Sequence, residues 1–212
     1  MRDLGVDVSR ETLGQLQALV DTLVRWQKAI NLVGRTTIEE VWTRHVLDSA
    51  QLVPLIPDHA RRLADLGSGG GFPGLALAAM RPDMDVVLIE IDARKAAFLA
   101  EAARRMALKK QPQVAISRIE DAPAAQADVV TARALAPLGR LLGWADRHRT
   151  DTAICLFHKG KGWQEELAEA KKDWDIPCQP LTSITDRDAV ILRIGSYAPA
   201  GVRDRQSEGR RR

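Results

Sequence analysis

Apolar positions along this chain fall into two regimes. From about Ser9 to Ile30, Leu13, Leu16, Leu19, Val20, Leu23 and Val24 recur at helical spacing and predict an amphipathic helix. Thr36-Thr37-Ile38-Glu39-Glu40 contains two overlapping Thr-x-x-Glu pairs, the mark of a capping box. A second helix is predicted to start there, to run through Val41, Trp42, Val46 and Leu52, and to stop near Pro54 and Pro57. Residues 1–57 thus read as a helical extension without strands, with Trp26 and Trp42 expected to pack it onto the sheet that follows.

Beyond that point short apolar runs alternate with helical periodicity. Strands are predicted at 62–66, 86–89, 114–116, 128–131 and 153–157, with helices over 75–80 and from about Ala93 to Leu108. Two more helices follow, one with Leu135, Leu138, Leu141, Leu142 and Ala145 on one face, the other with Trp163, Leu167, Ala170 and Trp174. The runs 181–184 and 190–194 have no helix between them and are expected to pair as a C-terminal hairpin. Strand–helix alternation at this period predicts an α/β fold, a mostly parallel Rossmann-like sheet covered on both faces and spanning 58–198.

Composition adds exclusions. No apolar run approaches the roughly 20 residues of a membrane span, and Met1-Arg2-Asp3-Leu4-Gly5 lacks a signal-peptide pattern, so a cytoplasmic protein is expected. Cys155 and Cys178 make no disulfide framework, and the four histidines lie too far apart for metal-ligand spacing. The net charge is +3, but five arginines between Arg203 and Arg212, set against Asp204 and Glu208, account for all of it. Nucleic-acid affinity cannot therefore be argued from total charge, and the segment 199–212 reads as a basic tail expected to be disordered. No apolar surface stripe calls for a partner subunit, so a monomer is expected.

Candidate chemistry centres on Asp65-Leu66-Gly67-Ser68-Gly69-Gly70-Gly71-Phe72-Pro73-Gly74, directly after the first predicted strand. In sheets of this kind ligands sit beyond the carboxyl ends of the strands. Gly69-x-Gly71-x-x-Gly74, with Glu90 ending the second strand, satisfies a dinucleotide pattern. The same residues spell Asp-x-Gly-x-Gly-x-Gly, similar to the first motif of Rossmann-like methyltransferases, whose cofactor is S-adenosylmethionine. Glu90 suits ribose hydroxyls in either case. Asp65 weighs toward the methyltransferase ligand, because a carboxylate there can meet an ammonium through ordered water or backbone but would repel a pyrophosphate.

Five further segments narrow the choice. Trp26-Gln27-Lys28-Ala29-Ile30-Asn31-Leu32, Arg44-His45-Val46-Leu47-Asp48-Ser49, Ser117-Arg118-Ile119-Glu120, Ala132-Arg133-Ala134 and His158-Lys159-Gly160 flank the loop in order. Over roughly residues 20 to 195 the chain resembles the bacterial 16S ribosomal RNA guanine-N7 methyltransferases, the glucose-inhibited division protein B family. The resemblance implies a class I methyltransferase fold that binds S-adenosylmethionine and acts on 16S ribosomal RNA, within the small ribosomal subunit or its precursor. It implies cofactor contacts at Gly67, Phe72, Ile119, Glu120 and Arg133, with Asp65, Gly69 and Glu90 added from the loop reading. Guanine N7 carries a free lone pair, so no general base is required, and only Arg133 stands as a possible catalytic residue.

On the substrate side Arg44, His45, Asp48 and Lys159 are the candidates. Arg44 and Asp48 stand i to i+4 and can equally form a helix pair, and His45 can equally be a core histidine. Lys159, after a buried strand, is expected to meet the RNA backbone. Arg94, Lys95, Arg104, Arg105, Lys109 and Lys110 crowd one helix and its end as either an RNA-facing patch or a solvated face. Three rival readings remain: an NAD-dependent oxidoreductase using His158 for proton transfer, a non-catalytic RNA-binding protein, and a methyltransferase with another acceptor.

Overall fold

The computed structural model describes residues 8–201, so the arginine-rich segment 202–212 lies outside the described residues. A seven-stranded sheet forms the centre, with β1 Arg62–Leu66, β2 Asp85–Glu90, β3 Gln113–Ile116, β4 Ala127–Arg133 and β5 Arg149–Lys159 in parallel. β7 Cys178–Thr182 and β8 Val190–Ile194 form the expected antiparallel hairpin, and the sheet order is β3-β2-β1-β4-β5-β8-β7. A short pair, β6 Trp174–Asp175 with β9 Ala198–Pro199, lies apart from it and takes in Trp174, expected on a helix face, and the first residue of the expected tail.

Strand alternation sorts side chains into two cores. Leu63, Leu88, Val129, Ile154, Leu156 and Ile191 face one side, where α1 Arg10–Gln27, α3 Gly74–Met80 and α4 Ala93–Arg105 pack. Ala64, Ile89, Val130, Cys155, Phe157 and Leu192 face the other, under α5 Leu138–His148 and α6 Trp163–Asp173. Among the described residues no helix is long and apolar enough to cross a membrane.

The N-terminal helix shares the first core. Ser9 caps α1 by accepting the Thr12 N–H, and Leu16, Leu19, Val20 and Leu23 are buried against the sheet-side cluster. Leu13 and Val24, expected on that face, are instead exposed, because the buried stripe is narrower than the apolar one. Trp26 meets Phe98 of α4 edge-on at 6.0 Å and donates to Glu101 at 3.1 Å, so it packs on a helix rather than on the sheet. Trp42, 36% exposed, does not anchor the extension as expected.

The second helix departs from its capping boxes. A 3-10 turn, Arg35–Thr37, precedes a π-helical segment, Trp42–Leu47, that runs into α2 Asp48–Ala50. The Thr37 hydroxyl donates to the Gly34 carbonyl (2.8 Å) and meets His45 Nε2 (2.9 Å), so it is not available to cap a helix. Partners three residues back and eight residues on have displaced the cap.

The β1–α3 junction sets the position of everything above it. Asp65, 1% exposed, lies opposite Thr131 on β4, whose hydroxyl donates to Oδ1 at 2.7 Å. Gly74 opens α3 against this carboxylate, since a Cβ there would sit 2.6 Å from Asp65 Oδ2 and 2.5 Å from Leu88. Burial pushes the Asp65 carboxyl up to about 6, against the opposing pull of hydrogen bonds from Thr131, Ser68 and Gly74. The folded state therefore binds this proton more tightly than the unfolded chain. Its stabilising contribution is complete below about pH 4 and lost as pH rises through about 6, a change of about 3 kcal/mol at 1.36 kcal/mol per unit. Urea denaturation across this window should show Asp65→Asn gaining on the parent chain by that amount. A stability difference that does not vary with pH would refute the titration.

Candidate active site

A cleft of about 1310 Å³ lies at the carboxyl ends of the parallel strands, where the sheet order reverses between β1 and β4. The glycine loop forms its floor. Gly67 adopts φ +65°, and a Cβ there would sit 2.5 Å from Leu135 Cδ1, so the loop and the segment after β4 close on each other only because residue 67 has no side chain. Glu90, at the end of β2, accepts the Gly69 N–H on Oε2 and the Asp92 N–H on Oε1, both at 2.9 Å. One carboxylate thus fixes the loop, caps the turn into α4 and lines the cleft. Asp65 does not line it. Its oxygens face Thr131 and Gly74 beneath the loop, which leaves water or the loop backbone as its route to a ligand ammonium.

On the β3 side, Ile119 is 8% exposed and forms an apolar wall with Ile89 and the exposed Ile91. Glu120 stands beside them. Its own backbone N–H, then Arg118 and the Trp144 indole, hold its carboxyl below the usual range. Trp144 of α5 also lines the cleft, a residue the sequence reading missed because its periodicity marks only a helix position.

The β5 side is built around Asp48. Oδ1 accepts from Gln51 Nε2 (2.7 Å) and Thr185 Oγ1 (2.6 Å), while Oδ2 lies 3.4 Å from both Arg133 Nη1 and His158 Nε2. Arg133 also donates to the Arg44 carbonyl at 3.1 Å and lies over the Phe72 ring, 5.6 Å from its centroid. Burial draws its pKa down and Asp48 pulls it back up. His45 stacks on the other residue of this group, Phe72, at 5.3 Å. Because the Thr37 hydroxyl gives its proton to Gly34, His45 Nε2 is the donor between them. Burial, reinforced by Arg133, lowers the His45 pKa to about 4, so the ring is neutral near pH 7 and its buried Nδ1 is an acceptor without a partner among the described residues.

Two expected substrate contacts come out differently. Arg44 and Asp48 do not pair with each other. The backbone between them is π-helical, closing i to i+5, and turns them apart. Arg44 reaches Asp186 (3.2 Å) and the Thr185 carbonyl (3.3 Å) instead. Lys159 is turned inward: it is 8% exposed and bound to the Ala136 carbonyl (2.6 Å) and Glu166 (2.7 Å). The turn residues Thr185 and Asp186 carried no signal, because their partners lie 137 to 142 residues away. Gln27, within the segment from Trp26 to Leu32, clamps the strap over the glycine loop by accepting the Leu32 and Val33 N–H groups and donating to the Val33 carbonyl. Of the crowded cations on and just beyond α4, Arg94, Arg105 and Lys110 pair with Asp92, Glu101 and Asp85, and Lys95 lines the cleft. No metal-holding group of side chains occurs among the described residues.

Comparison with known proteins places this geometry. The family model described as rRNA small subunit methyltransferase G matches residues 12–188. The ribosomal RNA small subunit methyltransferase G of Paramagnetospirillum magneticum (strain AMB-1) is 52% identical over 88% of this chain and 90% of its own. That of Jannaschia sp. (strain CCS1) is 48% identical over 88% and 89%. Among solved structures, a SAM dependent methyltransferase from Aquifex aeolicus superposes with a TM-score of 0.59 at 11% identity, covering 82% of this chain and 97% of that one. The ribosomal protein L11 methylase of Lactobacillus delbrueckii subsp. bulgaricus gives 0.58 at 15% identity, over 72% and 78%. These distant structures show the shared Rossmann-like methyltransferase architecture. On the model match and the identity of its relatives, the chain belongs to the rRNA small subunit methyltransferase G family.

Proposed function

We propose that this protein transfers the methyl group of S-adenosylmethionine to N7 of a guanine in 16S ribosomal RNA, presented by the small ribosomal subunit or its precursor in the cytoplasm. The observation that carries the reading is the two-ended cleft: an apolar and carboxylate-bearing β3 side, and a cationic, aromatic β5 side, joined by a glycine floor. The residues fit the cofactor. Gly69 leaves backbone bare on the cleft floor where a methionine moiety would lie, Gly67 lets Leu135 close beside it, Glu90 would face ribose hydroxyls, and Ile119 with Glu120 would offer an adenine a wall and an acceptor. When bound, the cofactor supplies an electrophilic methyl on a sulfonium.

The rest is placement. Phe72 and Arg133, the expected cofactor contacts, pack with His45 into a wall fixed by Asp48, against which the cofactor and an acceptor base can be brought together. No proton has to be taken from N7, and the neutral His45 is not poised to supply one. Holding the acceptor in line can contribute up to ~7–11 kcal/mol. An extruded or single-stranded guanine suits such a recess.

Incubation with labelled cofactor and small subunits lacking the modification should place a single N7-methylguanosine on the RNA. Absence of both label and calorimetric cofactor binding would sink the reading. Glu120→Ala, at an exposed position, should weaken cofactor binding about tenfold with an unchanged melting temperature, equivalent to about 1.4 kcal/mol.

RNA backbone contact falls to a different cation from those expected. Arg35, exposed at the mouth, has no ion pair among the described residues, whereas Arg44, Arg133 and Lys159 are all paired within the protein. Arg35→Gln should lower the slope of log affinity against log salt by roughly 0.7, the release expected for one single-strand phosphate contact. An unchanged slope would remove Arg35 from the interface.

A further inference from the structure

Lys159 and Glu166 form a unit that the cleft depends on. The Lys159 ammonium is buried, donating to Ala136 O at 2.6 Å and to Glu166 Oε2 at 2.7 Å. The same Oε2 accepts the Leu138 N–H at 3.0 Å, the first amide of α5. One carboxylate oxygen of α6 therefore holds both a buried cation and the start of the neighbouring helix. Between them runs the segment from Ala134 to Pro137, which links β4 to α5 and lines the cleft.

This segment is not at rest by itself. Ala134 adopts φ +49°, the left-handed region that a side chain disfavours, directly after Arg133. Leu135 is seated against the bare α-carbon of Gly67. Such a backbone persists only where its surroundings hold it, and here those surroundings are the Ala136 carbonyl on Lys159 and the Leu138 amide on Glu166. The segment follows Arg133 directly and meets the glycine floor through Leu135, while its far end is held at Ala136 and Leu138, so loosening that end frees a wall that carries both.

We propose that Glu166 is a positioning residue, and that with Lys159 it acts as an internal clamp fixing the wall from Ala134 to Pro137, rather than Lys159 gripping RNA. The proposal rests on the methyltransferase reading for its kinetic consequence but not for its structural one. Loss of Glu166 strands the buried Lys159 ammonium, and loss of Lys159 takes the donor from the Ala136 carbonyl and frees a half-exposed carboxylate; either change loosens the wall while leaving the rim that would meet RNA untouched.

The test compares Lys159→Gln, Glu166→Gln and the double variant, using small subunits and labelled S-adenosylmethionine. Each single variant should lower kcat at least tenfold with KM for the subunit within twofold, and the salt slope of RNA affinity should match the parent chain. The double variant should be no slower than the slower single one, because both changes disable one device. Should Lys159→Gln raise KM and reduce the salt slope by roughly 0.7 while Glu166→Gln does neither, Lys159 is a phosphate contact and the clamp is overturned. Amide hydrogen exchange reads the clamp without activity: protection over 134–138 should fall at least tenfold in both single variants. Unchanged protection in either overturns the proposal even if the parent chain proves to methylate nothing.

Discussion

A carboxylate taken out of water costs several kcal/mol unless donors surround it, and the chain must find those donors wherever its fold brings them. Asp48 is the place where this constraint acts on the whole molecule. Its carboxylate donors come from Gln51 just beyond α2, from Arg133 on β4 and from Thr185 in the β7–β8 turn, while His158 on β5 donates to its backbone carbonyl at 3.0 Å. The N-terminal extension is thereby tied to the sheet by charge as well as by the apolar packing of Leu16, Leu19 and Leu23. Arg133 in turn has its place over Phe72 because Asp48 and the Arg44 carbonyl hold its guanidinium from behind. Breaking such a buried pair typically costs 3–5 kcal/mol. The aromatic wall of the cleft is therefore a consequence of how one buried acid was satisfied.

What the sequence made legible was what depends on neighbours. β1 was readable to the residue, because a short apolar run ends in glycines; Ser9 was readable as a helix start, and the last two strands as a hairpin for want of a helix between them. Glu90 was legible through its spacing from the loop, although its hold on the Gly69 amide was not. Thr37 shows the limit. Its capping signature was sound locally, yet His45 offered the hydroxyl a tertiary partner and the helix began five residues later. Lys159 shows it again: a cation after a buried strand reads as free until Glu166 is known to stand beside it. Asp65 looked like a ligand contact because it adjoins the loop in sequence, but strand alternation turns it to the core face with Thr131.

The same pattern of inward-turned polar groups bears on how the proposed reaction is accelerated. A nucleophile with its own lone pair needs no base, so the protein's contribution lies in the fixed separation of two ligands. Each wall of the cleft is held by a side chain bonded to the backbone of a neighbouring element. Gln27 holds the strap at Leu32 and Val33, Glu90 holds Gly69, Arg133 holds the Arg44 carbonyl, and Lys159 with Glu166 holds Ala136 and Leu138. Charges used in this way are no longer available to attract RNA at long range, which agrees with a chain whose positive excess lies entirely in the segment from Arg203 onward. Selectivity must then come from shape and from the few cations left at the mouth. A site of this kind gains little from stronger RNA binding and much from rigid walls, so substitutions that loosen the walls should act on turnover before they act on affinity.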